Sequence, residues 1–240
     1  MKFTVSALSL CALCGAASAG LVAQTGTPGS VAGGFTDRSQ VYSIDDGSAE
    51  NSVGLTNGGV LAGINYFAVV GGNNSITSVD VAWGTPVFAG QNGIVAGSPF
   101  SVYVWANNGA GTDPSGANST LLYTTTSTIN AANIDNNTFQ SIAIPNIAVG
   151  TSFFVGVSIA HAAGSFPISV DQDAPTTAGV SWAGGGTSFD PNNVGFGGGP
   201  MLELSGLGFG NWMIRANAVP TPGAAGLLAL AGLAATRRRR

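Results

Sequence analysis

"FSVYVWAN", residues 100–107, alternates strictly: Val102 and Val104 fall on one side of an extended chain, Tyr103 and Trp105 on the other. Successive side chains of a strand point to opposite faces, so this period of two predicts a strand with one buried and one solvated face. The pattern recurs along the chain. "ITSVDVAWG" (76–84) aligns Val79, Val81 and Trp83 against Ser78, Asp80 and Ala82, and "SFFVGVSIAH" (152–161) aligns Phe153, Val155, Val157 and Ile159. "FPISVDQD" (166–173) aligns Phe166, Ile168 and Val170, and "NWMIRANA" (211–218) aligns Trp212, Ile214 and Ala216 opposite Met213 and Arg215. Residues 41–45, 60–70, 120–129 and 138–149 are further strand candidates. Turn clusters such as "TNGG" (56–59), "GGNN" (71–74) and "NNGAG" (107–111) separate them with residues that tolerate positive φ. The expectation is one all-β domain over residues 41–217, an antiparallel β-sandwich of jelly-roll-like form. Two long loops stand out, 107–119 and 183–200, the second being the longest stretch without strand character.

Charge narrows the function classes. From Gly20 to Ala218 the 199 residues hold eleven acidic side chains against Arg38 and Arg215, with no lysine, a net charge of −9. Nucleic-acid binding depends on clustered Lys and Arg that neutralise phosphates, and this segment has none. Both cysteines, Cys11 and Cys14, sit near the start, so the rest of the chain has no thiol for a disulfide, a zinc site or nucleophilic catalysis.

The two ends carry addressing signals. Met1-Lys2, an apolar run from Phe3 to Ala16 and a small-residue pattern at Ala17-Ser18-Ala19 form a secretory signal peptide (1–19), with cleavage before Gly20; the alternative is a buried N-terminal element. Residues 20–40 read as a linker. At the other end "AVPTPGAAGLLALAGLAATRRRR" (218–240) sets two prolines, a charge-free run and four arginines in order. As a helix, residues 223–236 span ~21 Å, short of a ~30 Å hydrocarbon core. Arg237, Arg238, Arg239 and Arg240 hold that end on the cytoplasmic side and extend its reach by snorkelling. The segment is thus expected to engage the membrane.

This ordered tail resembles the PEP-CTERM sorting signal of bacterial exported proteins. Val219, Pro220, Thr221 and Pro222 match the motif, with Thr221 where that family usually carries Glu; the apolar run and the Arg cluster match the remainder. The resemblance implies processing by an exosortase-type membrane enzyme after signal peptidase has acted; a plain C-terminal anchor is the alternative. "YSIDDGSAENSVGL" (42–55) and "GNWMIRANA" (210–218) are similar to the first and last strands of β-sandwich domains found in surface proteins with such tails, which implies an architecture and no activity.

Candidate sites remain few. "DDGSAEN" groups Asp45, Asp46 and Glu50, hard oxygen donors suited to a structural Ca²⁺, though Asp-Gly equally makes a tight turn. "DQD" (171–173) and "DPNN" (190–193) share that ambiguity. Trp182, with Phe189, Asp190, Asn192 and Asn193 in the adjoining loop, is the expected place for a ligand, because an exposed indole stacks on sugars; the alternative for every Trp is the core. His161 is the one histidine, no G-x-S-x-G elbow accompanies it, and "GVSWA" (179–183) lacks the second Gly. The expected function is a non-enzymatic exported surface or extracellular-matrix protein, in adhesion or exopolysaccharide association, needing no cofactor beyond a structural calcium. The alternatives are a carbohydrate-binding module, calcium-assisted, and a secreted glycoside hydrolase using paired carboxylates.

Overall fold

The computed structural model describes residues 21–23, 41–109, 111–173 and 176–219. Ala17, Ala19 and Gly20, the expected signal peptide, and the tail from Pro220 to Arg240 with its expected apolar helix lie outside the described residues. Val219 lies inside them, as the exposed last residue of a strand. Among the described residues no helix is long and apolar enough to cross a membrane.

The domain is an antiparallel β-sandwich. One layer is a six-stranded sheet built from β4 (Gly59–Ala68), β6 (Pro99–Asn107), β7 (Ser119–Thr128), β9 (Ser152–His161), β11 (Ser181–Gly186) and β12 (Leu202–Glu203), in the order β12-β11-β4-β9-β6-β7. The facing layer consists of two four-stranded sheets. The first contains β2 (Val41–Tyr42), β5 (Ser75–Val81), β8 (Gln140–Ala148) and β14 (Ile214–Val219), ordered β2-β14-β5-β8. The second contains β1 (Leu21–Ala23), β3 (Asn51–Leu55), β10 (Ile168–Asp171) and β13 (Asn211–Trp212), ordered β1-β3-β10-β13. These two sheets run into each other at Met213, whose N–H donates to Ser169 O and whose carbonyl accepts from Ala82 N, both at 3.1 Å. Strand β1, inside the stretch read as a linker, pairs Leu21 with Leu55.

The expected inner face is observed except at Phe166, which is half-buried and outside the core. Val102, Val104, Phe153, Val155, Val157, Val79, Val81, Trp83, Ile168, Val170, Trp212, Ile214 and Ala216 all join one core between the layers. The face expected to be wet behaves differently. Tyr103 and Trp105 are 6% and 0% exposed and form a second core with Ile64 and Phe154 on the outer side of the six-stranded sheet. Its cover comes from the loop after β11, which lays Phe189, Val194 and Met201 over them. Alternation survives at the edge strand β7, where every second residue is exposed.

The 183–200 loop is shorter than its composition suggested. Its first four residues, "AGGG", belong to β11, which pairs with β4 from Ser181–Asn65 to Gly186–Val60. Glycine is required there: Gly185 sits at φ +114°, and a Cβ would stand 1.9 Å from Val60 O. Backbone contact this close keeps the strand glycine-rich and hides it from a hydrophobicity reading.

Candidate metal centre

The edge of the second small sheet gathers carboxylates from separate segments. Strand β10 pairs Val170 with Asn51 of β3, so Asp171 and Glu50 come next at the same end of the sheet. On the other side Asp171 pairs with Asn211 of β13. Because Val170 and Trp212 face the core, their neighbours Asp171 and Asn211 share the opposite face. The turn before β3 then folds over this row. Gly47, at φ +97°, makes the bend, and Asp46 Oδ1 accepts from Ser48 N (2.8 Å) and Ser48 Oγ (2.7 Å). Asp46 N donates to Asp171 Oδ2 at 2.7 Å, and Gln172 N donates to Glu50 Oε2 at 2.9 Å. In consequence Asp46, Glu50, Asp171 and Asp173 each place a carboxylate oxygen within 4.8 Å of the others. The turn expected of "DDGSAEN" is present, and of its three carboxylates Asp46 and Glu50 join this cluster while Asp45 does not.

Glu50 is 5% and Asp171 1% exposed, while Asp46 and Asp173 reach solvent. Burial pushes the Glu50 carboxyl above its usual range and the charges of Asp171 and Asp173 push it further, against hydrogen bonds from Gln172 and Ser48. Arg215, the one Lys or Arg among the described residues, is engaged with Asp45 instead. Its Nε lies 3.0 and 3.1 Å from the two Asp45 oxygens, its Nη2 also meets Oδ1, and its guanidinium stacks 4.0 Å from the Phe139 ring centre. Asp45 is therefore drawn away from the cluster its neighbour Asp46 joins. Burial raises the Asp45 pKa more than Arg215 lowers it.

Asn211 lies opposite Asp171 in the strand pair. It is 1% exposed, its Nδ2 donates to Ile44 O at 3.1 Å, and its Oδ1 is buried with no hydrogen-bond partner. The four carboxylates form an all-oxygen set. That chemistry suits Ca²⁺, which accepts six to eight oxygens flexibly, better than Mg²⁺, which demands a near-ideal octahedron.

The other expected ligand site is turned inward. Trp83, Trp105 and Trp212 are at most 1% exposed. Trp182 is half-buried against the second core, and its carbonyl accepts from Trp212 Nε1 at 2.8 Å. Phe189 packs on Tyr103 and Trp105 at 5.6 and 6.5 Å between ring centres. Asp190 serves its own turn, its Oδ1 accepting from Asn192 N (2.9 Å) and its carbonyl from Asn193 N (3.2 Å). Loop residues 189–193 are thus brought together as a lid over the outer core, on the layer opposite the carboxylates.

His161 closes β9. Its Nε2 accepts from Leu55 N at 3.1 Å and its Nδ1 lies 2.9 Å from Ala162 O, which places the ring proton on Nδ1. The cavity beside it, lined by Ile94, Ile129, Ile159 and Pro167, measures about 150 Å³, below the ~300–1,000 Å³ of small-molecule pockets. Burial lowers the His161 pKa, against a smaller opposite pull from the Ala162 carbonyl. The fold favours the neutral ring, so this latch stabilises fully above the unfolded value of about 6.5 and is lost as pH falls through the lower folded value. His161→Gln keeps an acceptor and removes the titration. Urea midpoints below about pH 6.5 then fall less steeply in the variant than in the wild type; identical slopes would remove the latch.

No protein-family model matches the chain, and no curated protein matches it in sequence. Among solved structures it is similar to the cysteine protease and lectin-like domains of Cwp84, a surface layer associated protein of Clostridium difficile, at 13% identity and a TM-score of 0.49, covering 76% of this chain and 36% of that one. It is also similar to a cysteine-to-alanine variant of the clostridial cysteine protease Cwp84 after propeptide cleavage, at 12% identity and a TM-score of 0.41, covering 68% and 36%. The chain thus spans 36% of the length of each of these two structures.

Proposed function

We propose that the chain is a non-enzymatic exported surface protein whose β-sandwich is clamped by a structural Ca²⁺ held by Asp46, Glu50, Asp171 and Asp173. The convergence of those four carboxylates from separate segments carries the reading. The ion supplies positive charge beside buried Glu50 and Asp171, and it ties the turn before β3 to the end of β10. The leader and the PEP-CTERM-like tail support export, and the −9 charge suits an extracellular setting where Ca²⁺ is plentiful. A hydrolase would need its carboxylates free in a cleft, whereas Glu50 and Asp171 accept from the N–H groups of Gln172 and Asp46. A sugar platform would need exposed indoles, and three of the four are buried.

Thermal unfolding in calcium and in chelator tests the clamp. A hundredfold excess of Ca²⁺ over its Kd stabilises by ~2.7 kcal/mol, a Tm rise of about 5–10 °C for a domain of this size. Mg²⁺ gives less. Glu50→Gln with Asp171→Asn removes the calcium response while the chelated protein still melts cooperatively. Equal Tm values in calcium and chelator would overturn the clamp. The mass of the surface-exposed protein's C-terminus tests the sorting tail separately, an intact Arg240 counting against processing.

A further inference from the structure

Strand β14 delivers the chain to one end of the sandwich. Its last residue, Val219, pairs with Ser75, the first residue of β5. The loop that precedes Ser75, residues 69–74, therefore lies beside the point where the chain leaves the domain. Strand β4 enters this loop from Ala68, which pairs with Ser152. The other end of β4 is Gly59 opposite His161, ten residues or ~33 Å away.

The loop is a braced projection. Val69 N donates to Thr151 O and Val149 N donates to Asn74 O, each at 2.8 Å, which fastens it to the turn between β8 and β9. Across its base the Tyr42 hydroxyl accepts from Val70 N (3.1 Å) and donates to Asn73 O (2.7 Å). Tyr42 is itself rooted against the core, edge-on to Phe153 at 5.1 Å between ring centres. This bracing holds Val70 out at 68% exposed, the most exposed large hydrophobic among the described residues, with Val219 exposed next to the same loop. Residues 69–74, 149–151 and 216–219 contain no ionisable side chain, so this corner can meet an anionic surface without bringing a carboxylate to it.

Chain length says which surface this corner meets. Between Val219 and Gly223, where the charge-free run begins, stand only Pro220, Thr221 and Pro222. Four residue steps of at most ~3.6 Å span no more than ~14 Å. A run that enters a bilayer therefore draws this end of the sandwich down to the lipid headgroups. We propose that the domain stands on the bilayer that receives its tail, with residues 69–74 as the contact loop and Val70 set among the headgroups. A single exposed valine needs no partner by itself; its place beside so short a tether gives Val70 one. Val95, 66% exposed, is the internal control, because it lines the cavity beside His161 at the opposite end. The inference rests on the tail's engagement with a membrane and is independent of the calcium clamp.

Site-directed labelling tests this on the chain from Gly20 to Arg240, the product expected of leader cleavage, which keeps every described residue and has no cysteine. Val70→Cys or Val95→Cys then supplies one thiol for an environment-sensitive fluorophore, and an unchanged Tm shows that each labelled chain is folded. The chain is reconstituted into phosphatidylcholine vesicles containing a lipid spin-labelled at its headgroup. The dye at position 70 shifts to the blue and loses most of its emission, while the dye at position 95 keeps the spectrum it has in water. A Gly-Ser spacer of about ten residues inserted after Val219 restores the emission at position 70 and leaves flotation with the vesicles unchanged. A chain that floats with the vesicles while position 70 stays as in water overturns the inference. So do equal quenching at positions 70 and 95 and quenching that ignores the spacer. A chain that fails to float overturns it together with the membrane reading of the tail, and flotation tells that failure from the others.

Discussion

Arg215→Ala destabilises the domain by ~3–5 kcal/mol, the cost of leaving a buried carboxylate without its partner. The Asp45 side chain is fully buried and that of Arg215 is 11% exposed, so water cannot replace the guanidinium. Arg215 meets both carboxylate oxygens and also packs on Phe139, and its removal costs the stacking as well as the charge. The pair itself adds little, because burial of Asp45 outweighs the pull of Arg215 on its pKa. Replacing both members, Asp45→Asn with Arg215→Met, therefore recovers most of the loss. Urea unfolding of the two single variants and the double variant gives the coupling. Additive losses in that cycle would mean that the two side chains act independently, and the account of this end of the sandwich would be wrong.

The second large effect is expected at Trp105. Its ring is fully buried, stacks on Tyr103 at 5.0 Å between centres, and supports Phe189; its Nε1 donates to Pro191 O at 2.7 Å. One side chain thus fills the outer core and fastens the lid. Trp105→Ala costs ~3–5 kcal/mol and opens residues 187–200 to protease. Trp105→Phe retains the apolar fill and loses the hydrogen bond, for a penalty of about 1 kcal/mol. Limited proteolysis with mass mapping separates the two. Cleavage of Trp105→Ala confined to sites elsewhere would show that the loop has other fastenings.

The inner core and the site were unequally visible in the chain. Period-two alternation in 100–107 and 152–161 identified Val102, Val104, Phe153, Val155 and Val157, because a strand's geometry leaves only two faces to choose between. Alternation cannot say whether the second face is wet. That was decided by Phe189, Val194 and Met201, which come from a glycine-rich loop with no periodic signal. Strand β11 was missed for a related reason. Glycines 184 to 186 look like a loop by composition, yet Gly185 meets Val60 O too closely for any side chain.

At the carboxylate cluster both oxygen-rich motifs were visible as separate possibilities, "DDGSAEN" and "DQD". Nothing local relates residues 46 and 50 to residues 171 and 173. Asp45 and Asp46 are adjacent and chemically identical, yet one pairs with Arg215 and the other joins the cluster. By itself the sequence determined the all-β class and most of the inward-facing residues, since these follow from side-chain type and short-range spacing. Only the tertiary structure decided which carboxylates meet and which aromatics are covered. Those outcomes depend on the register between strands more than a hundred residues apart, and packing sets that register.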